Sequence, residues 1–235
     1  MRLLLPLLRL LPLRQDLPHL IQQRAQIVRQ VFFQIDQCHI YPSHQPRREA
    51  ALPFKLLFHT GSAQQAAALL PRLEAALAGR PLRHIFVSHF ESDECGGLAA
   101  LLDRYPDASV ICPEVTARQL MGFGYQCSLD AKKPGEHIVT DSFDLEFIGY
   151  PSEMHLWEGL LAYEHRRKIF FSSDLMMRWG ETGSDLVHSS WKDEVGGITA
   201  EQVPSPQGRL RLQEDLMRFS PELIATGHGP VVDLS

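Results

Sequence analysis

The sequence predicts an α/β protein in which β-sheet lies in the middle and helices cover it. Segments with helical periodicity alternate with short apolar segments, and several apolar segments follow one another directly, as paired strands do. Hydrophobic residues make up 44% and charged residues 22% of the 235 residues, which is typical of a soluble globular chain. No shift in composition marks a second domain. We therefore predict a single domain over residues 21–235, preceded by an N-terminal extension at residues 1–20.

The first half is predicted to alternate short strands with amphipathic helices. Apolar, β-branched and aromatic runs predict strands within 27–40, 54–62, 83–97 and 108–113. Polar residues 41–52 are typical of a loop. Helical periodicity predicts helices at 63–79, 97–106 and 114–122, the first with Pro71 inside it and Gly79 at its end.

The second half is predicted to contain more strand pairing. Strands are predicted within 137–151, and residues 160–174 form a hairpin that turns at the charged residues 164–168. Residues 175–202 favour a loop or short helices over a site. A helix is predicted at 209–220, and a final strand within 221–230 ends in a glycine-flanked histidine.

Charge and cysteine content narrow the function classes. The net charge of −5 argues against a nucleic-acid partner, because such proteins usually carry a basic excess. The four cysteines lie far apart and form no C-x-x-C pair, so we expect neither a zinc knuckle nor a disulfide framework, and the cytoplasm suits the chain best. The eleven histidines are a first indication of metal chemistry.

The leucine-rich residues 1–13 are not typical of a targeting segment. Arg9 interrupts the apolar run, and Pro6 and Pro12 break helical structure. The run is also too short to cross a bilayer, and no other segment reaches eighteen consecutive apolar residues. We therefore expect no membrane association.

Residues 87–97, VSHFESDECGG, form the most informative segment. They place His89, Glu91 and Asp93 at alternate positions just beyond an apolar strand, and Glu94 follows. Alternate positions of an extended segment point the same way, so one cavity is predicted to receive all three side chains. An imidazole with two carboxylates is a mixed nitrogen and oxygen donor set, which suits iron, manganese or zinc.

Three later residues repeat the pattern of a ligand at the end of a strand. His155, Asp174 and His228 each follow an apolar run directly. Gly227 and Gly229 are predicted to let the backbone bend around a metal at His228.

These residues resemble the metal-binding motif of the metallo-β-lactamase superfamily, and specifically of its flavodiiron branch. The usual motif is H-x-H-x-D-H followed by a His, an Asp and a final His, and Glu91 in place of the second histidine is the flavodiiron variant. The spacings also match, with 61 residues between Asp93 and His155 and 18 between His155 and Asp174. The resemblance covers roughly residues 55–235.

The resemblance implies an αββα sandwich with a binuclear site at one edge of its sheets. His89, Glu91 and His155 would hold one iron, Asp93 and His228 would hold the other, and Asp174 would bridge them. Carboxylate in place of imidazole favours iron over zinc, so two iron ions are expected, with zinc or manganese as the alternative. The implied ligand is O2 or NO, and a homodimer is common in the resembled family.

Three departures from the family pattern bear on function. Glu94 replaces the histidine expected after Asp93, and it could ligate a metal, leave a position for water or turn to solvent. His59 replaces the aspartate of an Asp-Thr-Gly loop and is a candidate for its supporting role. The chain ends seven residues after His228, so we expect no flavodoxin domain and no FMN in it, and electrons would come from an external flavoprotein or a rubredoxin-type donor.

Two classes of function stay open from the sequence. The first is a non-haem diiron protein that binds O2 or NO, either as an oxygen sensor or, with an electron donor, as an oxidoreductase. The second is a binuclear metallo-hydrolase, in which a metal-bridging hydroxide attacks an ester, lactone or phosphodiester. Glu91 in place of histidine weighs against the second.

Overall fold

Two β-sheets carry the fold in the computed structural model of the chain, which describes residues 39–41, 55–151, 159–178 and 185–235. The first sheet has the order β1-β2-β3-β4-β5, and β1 is antiparallel to β2 while the other neighbours are parallel. Its strands are β1 His39–Tyr41, β2 Lys55–Phe58, β3 Leu82–Phe86, β4 Ser109–Pro113 and β5 Ser128–Lys132.

The second sheet has seven strands among the described residues, in the order β10-β12-β11-β9-β8-β7-β6. They are β6 His137–Val139, β7 Asp144–Tyr150, β8 Gly159–Glu164, β9 Ile169–Ser173, β10 Leu186–His188, β11 Leu223–Thr226 and β12 Val231–Asp233. Strands β6 to β9 are antiparallel, as the predicted hairpin requires, whereas β9 runs parallel to β11.

Helices follow the strands and cover the outer faces of both sheets. They are α1 Ala63–Leu77, α2 Ser92–Cys95, α3 Leu98–Arg104, α4 Glu114–Gly122, α5 Trp191–Gly196 and α6 Pro206–Leu216. Helix α1 begins at a capping box, in which the Ser62 and Gln65 side chains bond each other's backbone N–H groups, and it continues through Pro71. None of the helices in the described ranges is both long and apolar enough to cross a bilayer.

Alternation along the strands divides the core into three layers. On β2, Leu57 packs among the leucines of α1 and α3, whereas Leu56 and Phe58 face the second sheet. On β7, Phe147 lies between the two sheets and Ile148 packs under α5 and α6. The order of layers is therefore helix, sheet, sheet and helix, and the predicted αββα sandwich is confirmed.

Local differences from the predicted elements have physical causes. Strand β5 was not predicted, because its sequence SLDAK is polar and lies at an edge of the sheet. Residues 221–230 do not contain the final strand, since β12 follows them and pairs with β11. Helix α6 begins three residues before the predicted start, because the Ser205 hydroxyl accepts from Gly208 N–H and Pro206 occupies the first helical position.

Several predictions fall outside the described residues. They concern the extension at 1–20, most of the strand at 27–40, most of the loop at 41–52, and His155.

Candidate metal centre

The site forms where three strands end at the same edge of the two sheets. His89 follows β3, Asp174 directly follows β9, and His228 comes two residues after β11. All three side chains are buried or nearly so. A strand end is a rigid support, so these side chains need little ordering when a ligand binds.

The His89 imidazole faces three carboxylates. Its Nε2 atom lies 3.4 Å from Asp174 Oδ2, 3.6 Å from Glu94 Oε2 and 3.8 Å from Glu91 Oε2. His89 is 1% exposed and Glu94 is fully buried, whereas the Glu91 side chain is 47% exposed. The open side of this group is therefore the Glu91 side.

The His228 imidazole faces a second group of carboxylates. Its Nε2 atom lies 3.3 Å from Asp174 Oδ1 and 3.6 Å from Asp93 Oδ2. Single ligand atoms of Asp93, Glu94 and His228 fit within 4.8 Å of one another, as do those of His89, Glu91 and Glu94. Glu94 belongs to both groups, and the two oxygens of Asp174 point to different imidazoles.

The separations within the site fit ligands of shared metal ions better than they fit hydrogen bonds. The distances of 3.3–3.8 Å exceed the usual 2.7–3.2 Å of N–H···O bonds. Two ligands on one ion, with bonds of about 2.1 Å at tetrahedral or octahedral angles, lie about 3.0–3.5 Å apart. The donor atoms therefore lie near the edge lengths of a coordination shell.

The electrostatics of the metal-free protein also favour the binding of cations at this site. Burial, the charge of Asp174 and the Asp93 side chain raise the pKa of Glu94 to about 11. Contact with Asp174 raises the pKa of His228, with smaller contributions from Asp93 and Glu91, although burial opposes the shift. Without metal, this site holds extra protons, because so many carboxylates cannot all be charged in a buried space. Bound metal ions would take over that role.

Helix α2 arranges the acidic residues in a way that the sequence did not predict. We expected an extended segment from His89 to Asp93, but a helix begins at Ser92 and Glu91 is its N-cap residue. Asp93 therefore turns toward His228 while Glu91 stays beside His89. The expectation of an extended segment was therefore wrong, and a helix start directs Asp93 and Glu91 to different imidazoles.

The loop at His59, Thr60 and Gly61 holds helix α2 in place. The Thr60 N–H and hydroxyl both donate to the Glu94 carbonyl, at 2.8 and 3.0 Å, and Gly97 N–H donates to the Thr60 hydroxyl. A Cβ atom at Gly97 would lie 2.7 Å from the Thr60 carbonyl oxygen, so glycine allows this approach. His59 is buried in the same loop, and its supporting role stays a prediction.

Two serines orient the His89 ring from behind. Ser88 Oγ lies 2.9 Å from His89 Nδ1 and 2.8 Å from Ser173 Oγ, and all three groups are buried. A neutral imidazole that presents the Nε2 lone pair to a metal donates from Nδ1 to Ser88. Ser88 and Ser173 therefore hold the ring plane, and Ser88 can accept from Nδ1 when Nε2 binds a metal.

The two glycines beside His228 have different roles. Gly227 N–H donates to the Ser173 carbonyl at 2.8 Å, and a Cβ atom at Gly227 would lie 2.6 Å from that same oxygen. Gly229 has a φ of +106°, which favours glycine, and it passes close to the Arg178 backbone. The predicted backbone freedom is seen at Gly229, whereas Gly227 lets the ends of β9 and β11 approach each other.

The comparison with protein families agrees with this geometry. The family model described as ODP family beta lactamase matches residues 50–229. The chain belongs to this family. The flavodiiron resemblance and the metallo-β-lactamase fold expected from the motif are thereby confirmed.

The chain is similar to flavoproteins, and several of the solved structures that it resembles are flavodiiron proteins. The chain is 23% identical over 137 residues to the anaerobic nitric oxide reductase flavorubredoxin of Vibrio vulnificus. This alignment covers 57% of this chain and 27% of the relative. A flavo di-iron protein variant from Thermotoga maritima superposes with a TM-score of 0.66 at 18% identity, over 83% of this chain and 48% of that one. The rubredoxin oxygen:oxidoreductase of Desulfovibrio gigas superposes with a TM-score of 0.65 at 16% identity. This match covers 86% of this chain and 57% of that one. The chain spans 27–29% of the length of the curated relatives it matches.

The structure brings five of the six predicted ligands of this family member together, and His155 lies outside the described residues. The full burial of Glu94 rules out the alternative that it turns to solvent.

Sequence reasoning missed Ser88 and Ser173, which contact the His89 ring or each other, and Tyr150, which lies within the electrostatic reach of Asp174 and Glu94. Tyr150 is buried at the end of β7, where burial and the charges of Asp174 and Glu94 raise its pKa, so its phenol stays neutral. Its position at the end of an apolar strand was the signal that could have identified it.

Proposed function

We propose that this chain is a non-haem diiron protein that binds O2 or NO at its reduced centre and, with an external electron donor, reduces it. The names of two relatives support the chemistry, since one is a nitric oxide reductase and another an oxygen oxidoreductase. Reduction and oxygen sensing both fit this proposal. Reduction requires an external electron donor, whereas oxygen sensing by binding alone does not.

One observation carries the proposal. Asp174 presents Oδ2 to His89 and Oδ1 to His228, at 3.4 and 3.3 Å, so one carboxylate lies between two nitrogen donors. A shared carboxylate between two imidazoles is what a binuclear centre needs. Two ferrous ions held by these residues would each supply one electron toward the reduction of O2 or NO.

The ligand assignment follows from the contacts and the family pattern. His89, Glu91 and His155 would hold the first iron, and Asp93 and His228 would hold the second. Asp174 would bridge them, and Glu94 would take the position where the motif expects a histidine. Glu94 is within reach of both groups, so we assign it as a ligand rather than as a residue beside open water.

The donor set of this chain favours iron. Oxygen donors outnumber imidazoles in both described groups, and carboxylates are harder ligands than imidazoles. The four carboxylates of Glu91, Asp93, Glu94 and Asp174 carry a charge that two divalent ions neutralise. Glu94 supplies the fourth of these negative charges. A histidine in its place would leave the reduced centre with a net positive charge.

The exposures of the ligands define how the centre is reached. The His89 and Glu94 side chains are closed off from solvent, whereas those of Glu91 and Asp93 are 47% and 27% exposed. A small ligand and electrons from a flavoprotein or rubredoxin-type donor would enter on the exposed side. We place the protein in the cytoplasm, and the described cysteines are free thiols, as a reducing compartment favours.

The test is metal analysis of the chain expressed with iron and zinc both available. We expect two irons per chain, and NO binding to the dithionite-reduced protein seen as an optical and EPR change. Asp174→Ala should lose both metals because a bridge serves both, and Glu91→His should shift the preference toward zinc. Glu114→Gln, which alters an exposed carboxylate paired with Arg118, is the matched control and should load metal normally.

Three results would contradict the proposal. Retention of one fully occupied metal in the Asp174→Ala variant refutes the bridge. Equal iron content and NO reactivity in the Glu91→His variant refute the role of Glu91. Two zincs and no iron, even after anaerobic loading, would replace the diiron proposal with the metallo-hydrolase, to be tested with ester and phosphodiester substrates.

A further inference from the structure

A second cluster of metal-ligating side chains lies on the sheet formed by β6, β7 and β8. His137 on β6 is directly opposite Glu146 on β7, which is in turn opposite Tyr163 on β8. His165 comes two residues after Tyr163 and so points to the same side of the sheet. Pairing between strands therefore brings His137, Glu146 and His165 together on one face.

The three side chains have the geometry of a small binding site. Glu146 Oε2 accepts a hydrogen bond from His165 Nε2 at 2.8 Å, which a bound metal would replace, and it lies 3.6 Å from His137 Nε2. One ligand atom of each of the three residues lies within 4.8 Å of the others. The Glu146 side chain is 6% exposed, while those of His137 and His165 are 39% and 36% exposed. The carboxylate thus forms the floor and the two imidazoles form an open rim.

Each ligand is oriented by a further partner, as ligands of metal sites usually are. His137 Nδ1 lies 3.3 Å from Asp144 Oδ1, and the tautomer that donates from Nδ1 to this carboxylate leaves the Nε2 lone pair for a metal. Arg218 Nη2 donates to Glu146 Oε1 at 2.5 Å and leaves Oε2 to the histidines. Burial alone would raise the pKa of Glu146, but hydrogen bonds from Arg218 and His165 lower it, so the carboxylate is charged at neutral pH.

Arg218 is itself held in place, because its guanidinium lies 4.1 Å from the centre of the Phe219 ring. It therefore acts as a fixed donor to one carboxylate oxygen. A cation at the other oxygen would contact the two imidazoles on the solvent side.

This cluster is separate from the first centre. Glu146 and Tyr150 are four residues apart on β7, which is about 13 Å of strand. Tyr150 is the last residue of β7, and the charges of Asp174 and Glu94 raise its pKa. The two groups of ligands therefore lie at opposite ends of the strand.

We propose that His137, Glu146 and His165 form a second, mononuclear metal site that binds Zn2+. Two imidazoles and one carboxylate are a known zinc donor set, and the solvent-exposed rim leaves the fourth position to water. The site does not depend on the identity of the metals in the first centre.

The experiment counts metals on the full chain, with its first centre loaded. After equilibrium dialysis against zinc at neutral pH, total metal is measured for the wild type and for His137→Asn combined with His165→Asn. We expect one metal ion fewer per chain in the double variant. Asp144→Asn keeps both imidazoles and should weaken the additional zinc about 10- to 100-fold.

The control is His188→Asn, which removes an exposed histidine beside Asp233 but leaves the cluster intact. It should bind as much metal as the wild type. An equal count in the wild type and the double variant overturns the site, and so does an equal loss in His188→Asn. Should circular dichroism show the double variant to be unfolded, Asp144→Asn decides, since unchanged zinc affinity there also overturns the proposal.

Discussion

Replacing Gly227 with alanine tests whether the close approach of β9 and β11 builds the first centre. The added Cβ atom would lie 2.6 Å from the Ser173 carbonyl oxygen and 2.8 Å from its carbonyl carbon. Ordinary contact begins near 3.4 Å, so the oxygen contact is short by about 0.8 Å. Both neighbours are backbone atoms, and neither can rotate away as a side chain can.

The strain must therefore separate the two strand ends that carry Asp174 and His228. Overpacking of this kind costs about 1–3 kcal/mol of folding stability. Ligands of a metal site must be held within about 0.5 Å of their places, and a separation of about 0.8 Å exceeds that tolerance. We expect Gly227→Ala to fold but to bind metal at least tenfold more weakly.

The assay combines urea denaturation with competition for the metals by a chelator. Gly122→Ala is the matched control, because a Cβ atom there meets nothing within 4 Å and the residue ends helix α4. It should keep full metal affinity and gain about 0.4–1 kcal/mol of stability. Wild-type metal affinity in Gly227→Ala would refute the reasoning, since the strand ends would then tolerate the extra atom.

Three further substitutions probe the supports around the ligands and the second cluster. Ser88→Ala removes the hydroxyl 2.9 Å from His89 Nδ1 and should weaken metal affinity about 10- to 100-fold in a chelator competition assay. Thr60→Val removes two buried hydrogen bonds, one to the Glu94 carbonyl in helix α2 and one from Gly97 N–H, and should cost about 1–3 kcal/mol in urea denaturation. Because the pKa of Glu146 is lowered in the folded protein, this residue stabilises the fold at pH values above its ordinary pKa of 4.5. That contribution is lost as the pH falls through the lowered pKa. Glu146→Gln should therefore make the free energy of unfolding depend less on pH in the acid range.

Each of these predictions has a control or a contradicting result. Ser109→Ala removes a hydroxyl 2.8 Å from His84, away from the site, and should leave metal affinity unchanged. Thr199→Ser alters an exposed threonine but keeps the hydroxyl that accepts from Gln202 N–H, and it should leave stability within about 0.5 kcal/mol of the wild type. An unchanged dependence on pH in the acid range for the Glu146 variant would mean that its ion pairs contribute nothing to the fold.

Local patterns explain most of what could be predicted from the sequence. The helix at α1 was predictable because its apolar residues repeat every three to four positions and Ser62 with Gln65 starts it. The hairpin of β8 and β9 was predictable from two apolar runs around a charged turn. The polar edge strand β5 was not, because neither face of it carries a continuous apolar row.

The candidate site divides in the same way. The order and spacing of His89, Glu91 and Asp93 were visible, since each follows an apolar strand within a few residues. The exposure of Glu91 and the burial of Glu94 were not, because both depend on the helix that begins at Ser92 and on the loop around Thr60 that holds it.

By itself, the sequence determined the elements, the family and the candidate ligands, because periodicity and motif order are properties of neighbouring residues. Only the tertiary structure decided that the two oxygens of Asp174 face His89 and His228. Those three residues follow three different strands and lie far apart along the chain. Which of their atoms meet is set by how the two sheets pack and how closely β9 and β11 approach at Gly227. The same holds for His137 and His165, which strand pairing places on one face around Glu146.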